Sequence, residues 1–408
     1  MKTIAVIASL DTKGREVAYV RDRIAGLGCR ALVIDVGVRD EPDFPPDVGR
    51  EEVVAAAGES WSEIRVREKR ERITAMARGV AVLLPDLHAR GRIDAVLALG
   101  GAQNTTIGTS AMRALPIGVP KLVASTMASG RRTFEPLVGT KDVMILHTVA
   151  DVSGLNVITR PVLDNASAAI CGMAEHAPRA VSRTDRLVVG ATMLGVTTDG
   201  VSRAVALVEK AGVEVVTFHA TGVGGRAMEE LIGSGLVGAV MDLTLHEITC
   251  ELLGGYSSGA TRRLEAAGEA GIPQVVAPGA VDVVDWLEST VAAELPDWSE
   301  RKRIYQHPTL LHLKLKLDEV IGVARVIAAR LNCARGPVTV VLPLQGFHQS
   351  GHPGQPLWDP EVDRALTDTL RSGLRDGIRI HEVDANINDA AFSRAAAEEL
   401  LALLGRRS

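Results

Sequence analysis

Aromatic residues are the scarcest class in this 408-residue chain, at 3%. That excludes the stacked aromatic platforms on which proteins lay single-stranded nucleic acid. Basic charge is not in excess either, since 45 Lys and Arg face 50 Asp and Glu. A net charge of −5 gives no electrostatic footprint for a phosphate backbone, so no nucleic-acid partner is expected. Cysteine is sparse and scattered, with Cys29, Cys171, Cys250 and Cys333 forming no C-x-x-C pair. The reading is reduced thiols and no metal site. No apolar run approaches the roughly 18 residues of a membrane span, and the short apolar start soon reaches Asp11 and Lys13. A cytoplasmic protein with no membrane partner is predicted.

What is present is a soluble α/β composition, 46% hydrophobic with 40 glycines. The length favours two domains. Unbroken apolar runs alternate with helical spacing through both halves, which predicts two doubly wound Rossmann-like domains with mainly parallel sheets, 1–183 and 184–408. The polar, proline-bearing stretch 178–186 marks the boundary. Ligands in such sheets lie beyond the carboxyl ends of the strands, and a cleft between the domains is a further expected place.

The central stretch is residues 93–99, a buried strand running into Gly100-Gly101-Ala102-Gln103-Asn104-Thr105 and a helix over 105–115. Paired glycines permit a sharp turn and close approach of a ligand, and free N–H groups at the helix start suit an anion. Asp11, Thr12 and Lys13 follow the first strand, Asp35 the second, and Ser125 and Thr126 open the turn 125–130. Lys13 offers a point charge for a phosphate, although Asp11 and Thr12 serve equally well as helix caps. No G-x-x-x-x-G-K-[ST] occurs, so a P-loop is excluded.

In the second half, His219-Ala-Thr221-Gly222-Val-Gly224-Gly225-Arg-Ala follows a predicted strand over 213–218 and matches G-x-G-x-x-A. Asp242 lies where a ribose-binding acid would stand. Because another strand precedes it, this is not the first βα turn of its domain, and it reads as an anion cradle ahead of a dinucleotide site. Thr197, Asp242 and Glu247 occupy neighbouring turns. His219 and Glu247 are the acid–base candidates should the protein be an enzyme acting on a small phosphorylated or carboxylated substrate. His348 and His352 lie among Gly and Pro, which removes the helical geometry that a zinc pair at that spacing needs. A binding or regulatory module without chemistry is the remaining alternative.

Several blocks in order resemble the UPF0261 or Tm-1-like ATP-binding family over essentially the whole chain. They are Gly100-Gly101 with Thr105, Leu115-Pro116-Ile117-Gly118-Val119-Pro120-Lys121, Ser125-Thr126-Met127-Ala128-Ser129-Gly130, Val162-Leu163-Asp164-Asn165-Ala166, Phe218-His219-Ala220-Thr221-Gly222 and Asn386-Ile387-Asn388-Asp389. The resemblance implies a homodimer of Rossmann-like subunits with ATP and magnesium in the N-terminal half. The family's turn usually reads Gly-Gly-x-Gly-Gly-Thr, and here Gln103 and Asn104 stand in its last two glycine positions. They are expected to add bulk where phosphates approach. His246 likewise replaces a usual Thr before Glu247.

Overall fold

The structure, a computed structural model, describes residues 1–128, 135–177 and 187–405. The chain separates into two compact units, Met1–Val181 and Ser182–Ser408. The predicted boundary segment 178–186 lies outside the described residues, as do Ser129 and Gly130 of the turn 125–130.

The N-terminal unit is built on five parallel strands: β1 (Thr3–Ala8), β2 (Arg30–Asp35), β3 (Ala95–Gly100), β4 (Lys121–Ser125) and β5 (Met144–His147). Their order is β2-β1-β3-β4-β5. The strands are apolar on both faces because helices cover both. Ile4, Val6 and Ala8 pack with Val17, Val20 and Ile24 of the helix Leu10–Gly26 and with Leu163 and Ile170 of the helix Thr159–His176. Ala5 and Ile7 face the other way, toward Val80 and Leu84 of the helix Lys69–Ala89 and Ile107 of the helix Ala102–Ala114. Period-two alternation within one strand thus feeds two helical layers.

The C-terminal unit repeats this winding. Its parallel strands are β6 (Val188–Met193), β7 (Glu214–His219), β8 (Ala239–Thr244) and β9 (Gln274–Gly279), followed by a three-strand insertion and then β13 (Val338–Pro343) and β14 (Arg379–Val383). The order is β14-β13-β9-β8-β6-β7. The insertion is an antiparallel sheet of β10 (Val283–Leu287), β11 (Arg303–His307) and β12 (Leu310–Lys314), ordered β10-β12-β11. A helix over 312–331 was expected from the sequence. Instead Leu311, Leu313 and Leu315 alternate with His312 and Lys314 along a strand, and the helix begins only at Leu317.

Among the helix starts that differ from expectation, two lie at the turns where a ligand was expected. The first helix begins at Leu10 and kinks at Lys13 (φ −133°, ψ 15°), so Asp11, Thr12 and Lys13 belong to its first turn. The helix after β3 begins at Ala102, which puts Gln103, Asn104 and Thr105 in helical backbone. Ser9 and Gly101, the residues before these helices, are of types that favour the N-cap position, although neither makes a side-chain cap hydrogen bond.

Candidate functional site

Strand connections in the N-terminal sheet diverge between β1 and β3, and such a switch point opens a crevice at the strand carboxyl ends. The turn after β3 meets the start of the first helix there. Gly100 has φ +136°, and a Cβ at that position would come 2.7 Å from Asn104 Nδ2. Asn104 is buried and turned back under the turn, its Nδ2 donating to Leu99 O (3.0 Å) and its Oδ1 accepting from Ser9 Oγ (2.6 Å). The expected bulk of Asn104 therefore lies beneath the turn, where it takes up the space against Gly100. Gln103 Nε2 donates to Ser9 Oγ (3.0 Å), tying the two turns together. Around Gly101 there is room, since a Cβ would meet only Thr126 Oγ1 at 3.7 Å.

The other residues of this edge divide into engaged and open groups. Thr105 and Ser125 share a buried hydrogen bond of 2.6 Å, and Ser125 Oγ accepts from Met127 N. These two hydroxyls hold the floor of the site. Asp35 is committed to packing: it accepts from Leu10 N and Gly37 N and pairs with Arg50 at 2.9 Å. Asp11 Oδ2 accepts from Arg39 N (2.8 Å), while its buried Oδ1 has no hydrogen-bond partner among the described residues. Thr12 is exposed, and Lys13 Nζ lies 3.8 Å from Asp151 Oδ1.

The glycine-rich turn after β7 is different, and the expected cradle is already filled. Glu247 Oε1 accepts from Gly222 N (2.6 Å) and Gly225 N (3.0 Å), while its Oε2 meets Arg263 Nε at 2.7 Å. A Cβ on Gly225 would fall 1.8 Å from Glu247 Oε2, and one on Gly224 would strike His219 O at 1.9 Å. The glycines thus make room for the protein's own carboxylate and backbone. Asp242 is not poised for a ribose, because it pairs with both Arg263 Nη1 and Nη2 (2.7 Å each) and accepts from Thr192 Oγ1. Glu229 completes the set around Arg263, which is fully buried. Glu247 is equally buried with both oxygens engaged, so it is no free base for the exposed His219. Thr197 and Thr244 share a buried 2.8 Å hydrogen bond at the β6/β8 switch point, and Thr221 is half-buried at the head of the glycine turn.

The insertion sheet holds groups that sequence reasoning left unassigned. Lys314 Nζ is held by Asp282 and by Asp363 (2.8 Å), and His348 Nε2 lies 3.2 Å from Asp282 Oδ2. Burial pushes the Asp282 carboxyl up, but Lys314 and then His348 outweigh it and hold it well below its ordinary value. Asp363 takes the opposite shift, pushed up to about 7 by burial and by the charge of Asp282. Beside this group, one ring nitrogen from each of His246 and His312 and a carboxylate oxygen of Asp285 lie within 4.8 Å of one another, all buried. The expectation of no metal-ligating set missed this trio because its members are brought together only by the insertion.

The family pattern "Uncharacterised protein family (UPF0261) N-terminal domain" matches residues 2–179, and the corresponding C-terminal domain matches 186–404. The chain belongs to the UPF0261 family. A UPF0261 protein from Clostridium tetani is 37% identical over 409 residues, covering 99% of each chain. Another UPF0261 protein, RA0729 of Rhizobium meliloti, is 35% identical over 403 residues, covering 97% of this chain and 98% of its own. The ToMV resistance protein Tm-1(GCR237) of Solanum lycopersicum is 34% identical over 336 residues, which is 81% of this UPF0261 chain and 44% of Tm-1. Among solved structures, the S. aureus MnaA–UDP co-structure is 11% identical, covers 99% of this chain and 97% of that one, and gives a TM-score of 0.25. So low a score carries no argument. No helix among the described residues of this UPF0261 protein is long and apolar enough to cross a membrane.

Proposed function

We propose that the N-terminal unit of this UPF0261 protein binds a phosphate-bearing small molecule of the ATP class at the β1/β3 switch point, with Mg²⁺ as its counter-ion. The observation that carries this reading is the start of the helix Ala102–Ala114, where the first turn has no side-chain cap and Gly101 leaves open space in front of it. Backbone N–H groups there carry about half a positive charge in sum and point toward an incoming anion. Thr126 Oγ1 borders the same space, and Lys13, which lies 3.8 Å from Asp151, supplies a positive charge.

Asp11 fits the accompanying cation. Its unpartnered, buried oxygen is the hard donor that Mg²⁺ prefers, and it stands in the first turn of the neighbouring helix. When bound, the ion would neutralise phosphate charge. The similarity to the Tm-1-like ATP-binding family agrees with this assignment, and the filled cradle at Gly222–Gly225 argues against the C-terminal glycines as the phosphate site.

Thermal-shift titration of the full chain with ATP, ADP, AMP and NAD, each with and without Mg²⁺, tests the reading. ATP with Mg²⁺ is expected to stabilise by about 2.7 kcal/mol at 100 times its dissociation constant. Gly101→Val should abolish that response while the unliganded chain loses only the roughly 1 kcal/mol preference for glycine ahead of a helix, since a Cβ there meets only Thr126 Oγ1 at 3.7 Å. A wild-type chain that ignores all four nucleotides, or a Gly101→Val chain that still responds, overturns it.

A further inference from the structure

We infer that the C-terminal unit holds a structural divalent transition metal, of the zinc class, between the helix His246–Leu253 and the insertion sheet, with His246, Asp285 and His312 as ligands and Cys250 as the fourth donor. Local geometry brings His246, Asp285 and His312 together, and Cys250 touches two of them, His246 and Asp285. Asp285 and His312 are directly opposed in the antiparallel pair of β10 and β12, so their side chains leave the same face. His246 and Cys250 are four residues apart on the helix and share its face toward that sheet. The nitrogens and the carboxylate oxygen lie within 4.8 Å of one another. Cys250 Sγ is 3.3 Å from His246 Nε2 and 3.0 Å from Asp285 Oδ1, and His246 Nε2 is 3.4 Å from Asp285 Oδ2. A tetrahedral ion with bonds of about 2.0–2.3 Å separates its ligand atoms by about 3.3–3.6 Å. The His246, Asp285 and Cys250 atoms stand near that spacing already, and His312 closes on Cys250 as the ion is taken up.

Two further observations point to a ligand here. His246 Nδ1 lies 2.9 Å from Ala280 O, and a carbonyl only accepts, so that nitrogen carries the proton. The lone pair of a neutral ring is then on Nε2, aimed at a carboxylate and a sulfur, which is how the outer shell of a metal-bound histidine fixes its tautomer. Ser257 holds Asp285 in the same way, through its N–H to Oδ1 (3.0 Å) and its hydroxyl to Oδ2. Second, His312 is 2% exposed, yet its Nδ1 has no hydrogen-bond partner among the described residues. An orphaned ring nitrogen that deep in a core is costly. Two imidazoles, one carboxylate and one thiolate form a borderline-soft set that suits Zn²⁺ and excludes Mg²⁺ or Ca²⁺. Full burial with no open side makes the site structural: it ties the insertion sheet to the helix that follows β8.

The test uses the full chain without a histidine tag, loaded with Zn²⁺ or Co²⁺ alone. Elemental analysis should find about one zinc per chain, surviving dialysis against a weak chelator. Cobalt substitution should give visible d–d bands of tetrahedral intensity together with a near-ultraviolet thiolate-to-cobalt band. Cys250→Ser should lose the thiolate band and keep the d–d bands, while Cys333→Ser, an exposed thiol, should keep both. His312→Gln should lower the bound zinc at least tenfold. A folded wild-type chain that takes up neither ion at stoichiometric level overturns the proposal and leaves a metal-free imidazole–carboxylate cluster. Retention of the thiolate band in Cys250→Ser would equally overturn it. The wild-type uptake measurement does not depend on any variant folding.

Discussion

At the carboxyl end of β3 the N-terminal unit leaves a helix start uncapped, with open space in front of Gly101. In the C-terminal unit the residue just past β8 that matters, Glu247, is turned onto glycine N–H groups and locked there by Arg263. The two sheets have the same winding, β2-β1-β3-β4 in one and β7-β6-β8-β9 in the other. Topology alone therefore does not make a ligand site. The difference is whether the protein supplies its own anion: the second unit does, and around Arg263 it buries three carboxylates, Asp242, Glu247 and Glu229, against one guanidinium. Glycine has opposite meanings in the two places. At Gly101 it keeps space open, and at Gly225 it yields space to a side chain.

Arg263→Met should give the largest effect. It strands buried carboxylates without their cation, which costs about 3–5 kcal/mol. Calorimetry of the full chain should show the C-terminal unit melting much earlier, while the ATP response assigned to the N-terminal unit persists. An unchanged transition would mean that the charge lattice does not hold the turn. Gly225→Ala comes next. Alanine at a helical position is ordinarily favoured over glycine by about 1 kcal/mol. Here its Cβ would lie 1.8 Å from Glu247 Oε2 and 2.3 Å from Arg263 Nε, so destabilisation of about 2–3 kcal/mol is expected on urea unfolding. A stabilised variant would show that the Glu247–Gly225 contact is dispensable.

Much of this contrast was beyond the reach of sequence. The parallel strands were legible because continuous apolar runs such as 95–99 can be satisfied only by burial on both faces. The position of Gly100, Gly101 and Thr126 at strand ends was legible too, because the apolar runs before them mark where each strand stops. The role of Arg263 was not. Its neighbour Arg262 is an exposed arginine paired with Glu265 and Glu269, and nothing local separates the buried residue from the exposed one. Only strands distant in sequence supply the carboxylates. His312 was misassigned for a related reason: Leu311–Leu315 satisfies a strand as well as the start of the helix behind it, and the choice rests on pairing with β10.

The charged insertion sharpens the comparison through pH. Asp363 has a folded-state pKa pushed up to about 7, against an ordinary 3.8. Between about pH 4 and 7 the unfolded chain has released this proton while the folded chain keeps it. The folded state then binds more protons, so this group's contribution is present below pH 4 and is lost as pH rises toward 7. For one proton the slope is bounded by about 1.4 kcal/mol per pH unit. Asp363→Asn should flatten the fall relative to wild type in melting temperatures taken at pH 5, 6 and 7. Parallel curves for the two proteins would sink the assignment. The N-terminal turn, which has no comparable carboxylate cluster among its described residues, should show no counterpart of this effect in its ATP affinity when Asp363 is changed.

The smallest effect on stability is expected from Gly101→Ala, and it bears most directly on the contrast. The backbone at Gly101 has φ −87°, which any residue adopts, and the nearest atom to an added Cβ is Thr126 Oγ1 at 3.7 Å. Folding should lose no more than about 1 kcal/mol, the preference for glycine over alanine ahead of a helix. The methyl group would nonetheless stand where a phosphate approaches the first-turn N–H groups, so ATP affinity should fall about tenfold, or 1.4 kcal/mol. The same glycine-to-alanine change thus costs stability at Gly225 and binding at Gly101. If calorimetry finds Gly101→Ala as destabilising as Gly225→Ala, with ATP binding untouched, then the N-terminal turn is closed by packing just as the C-terminal one is. Neither glycine turn would then be the ligand site.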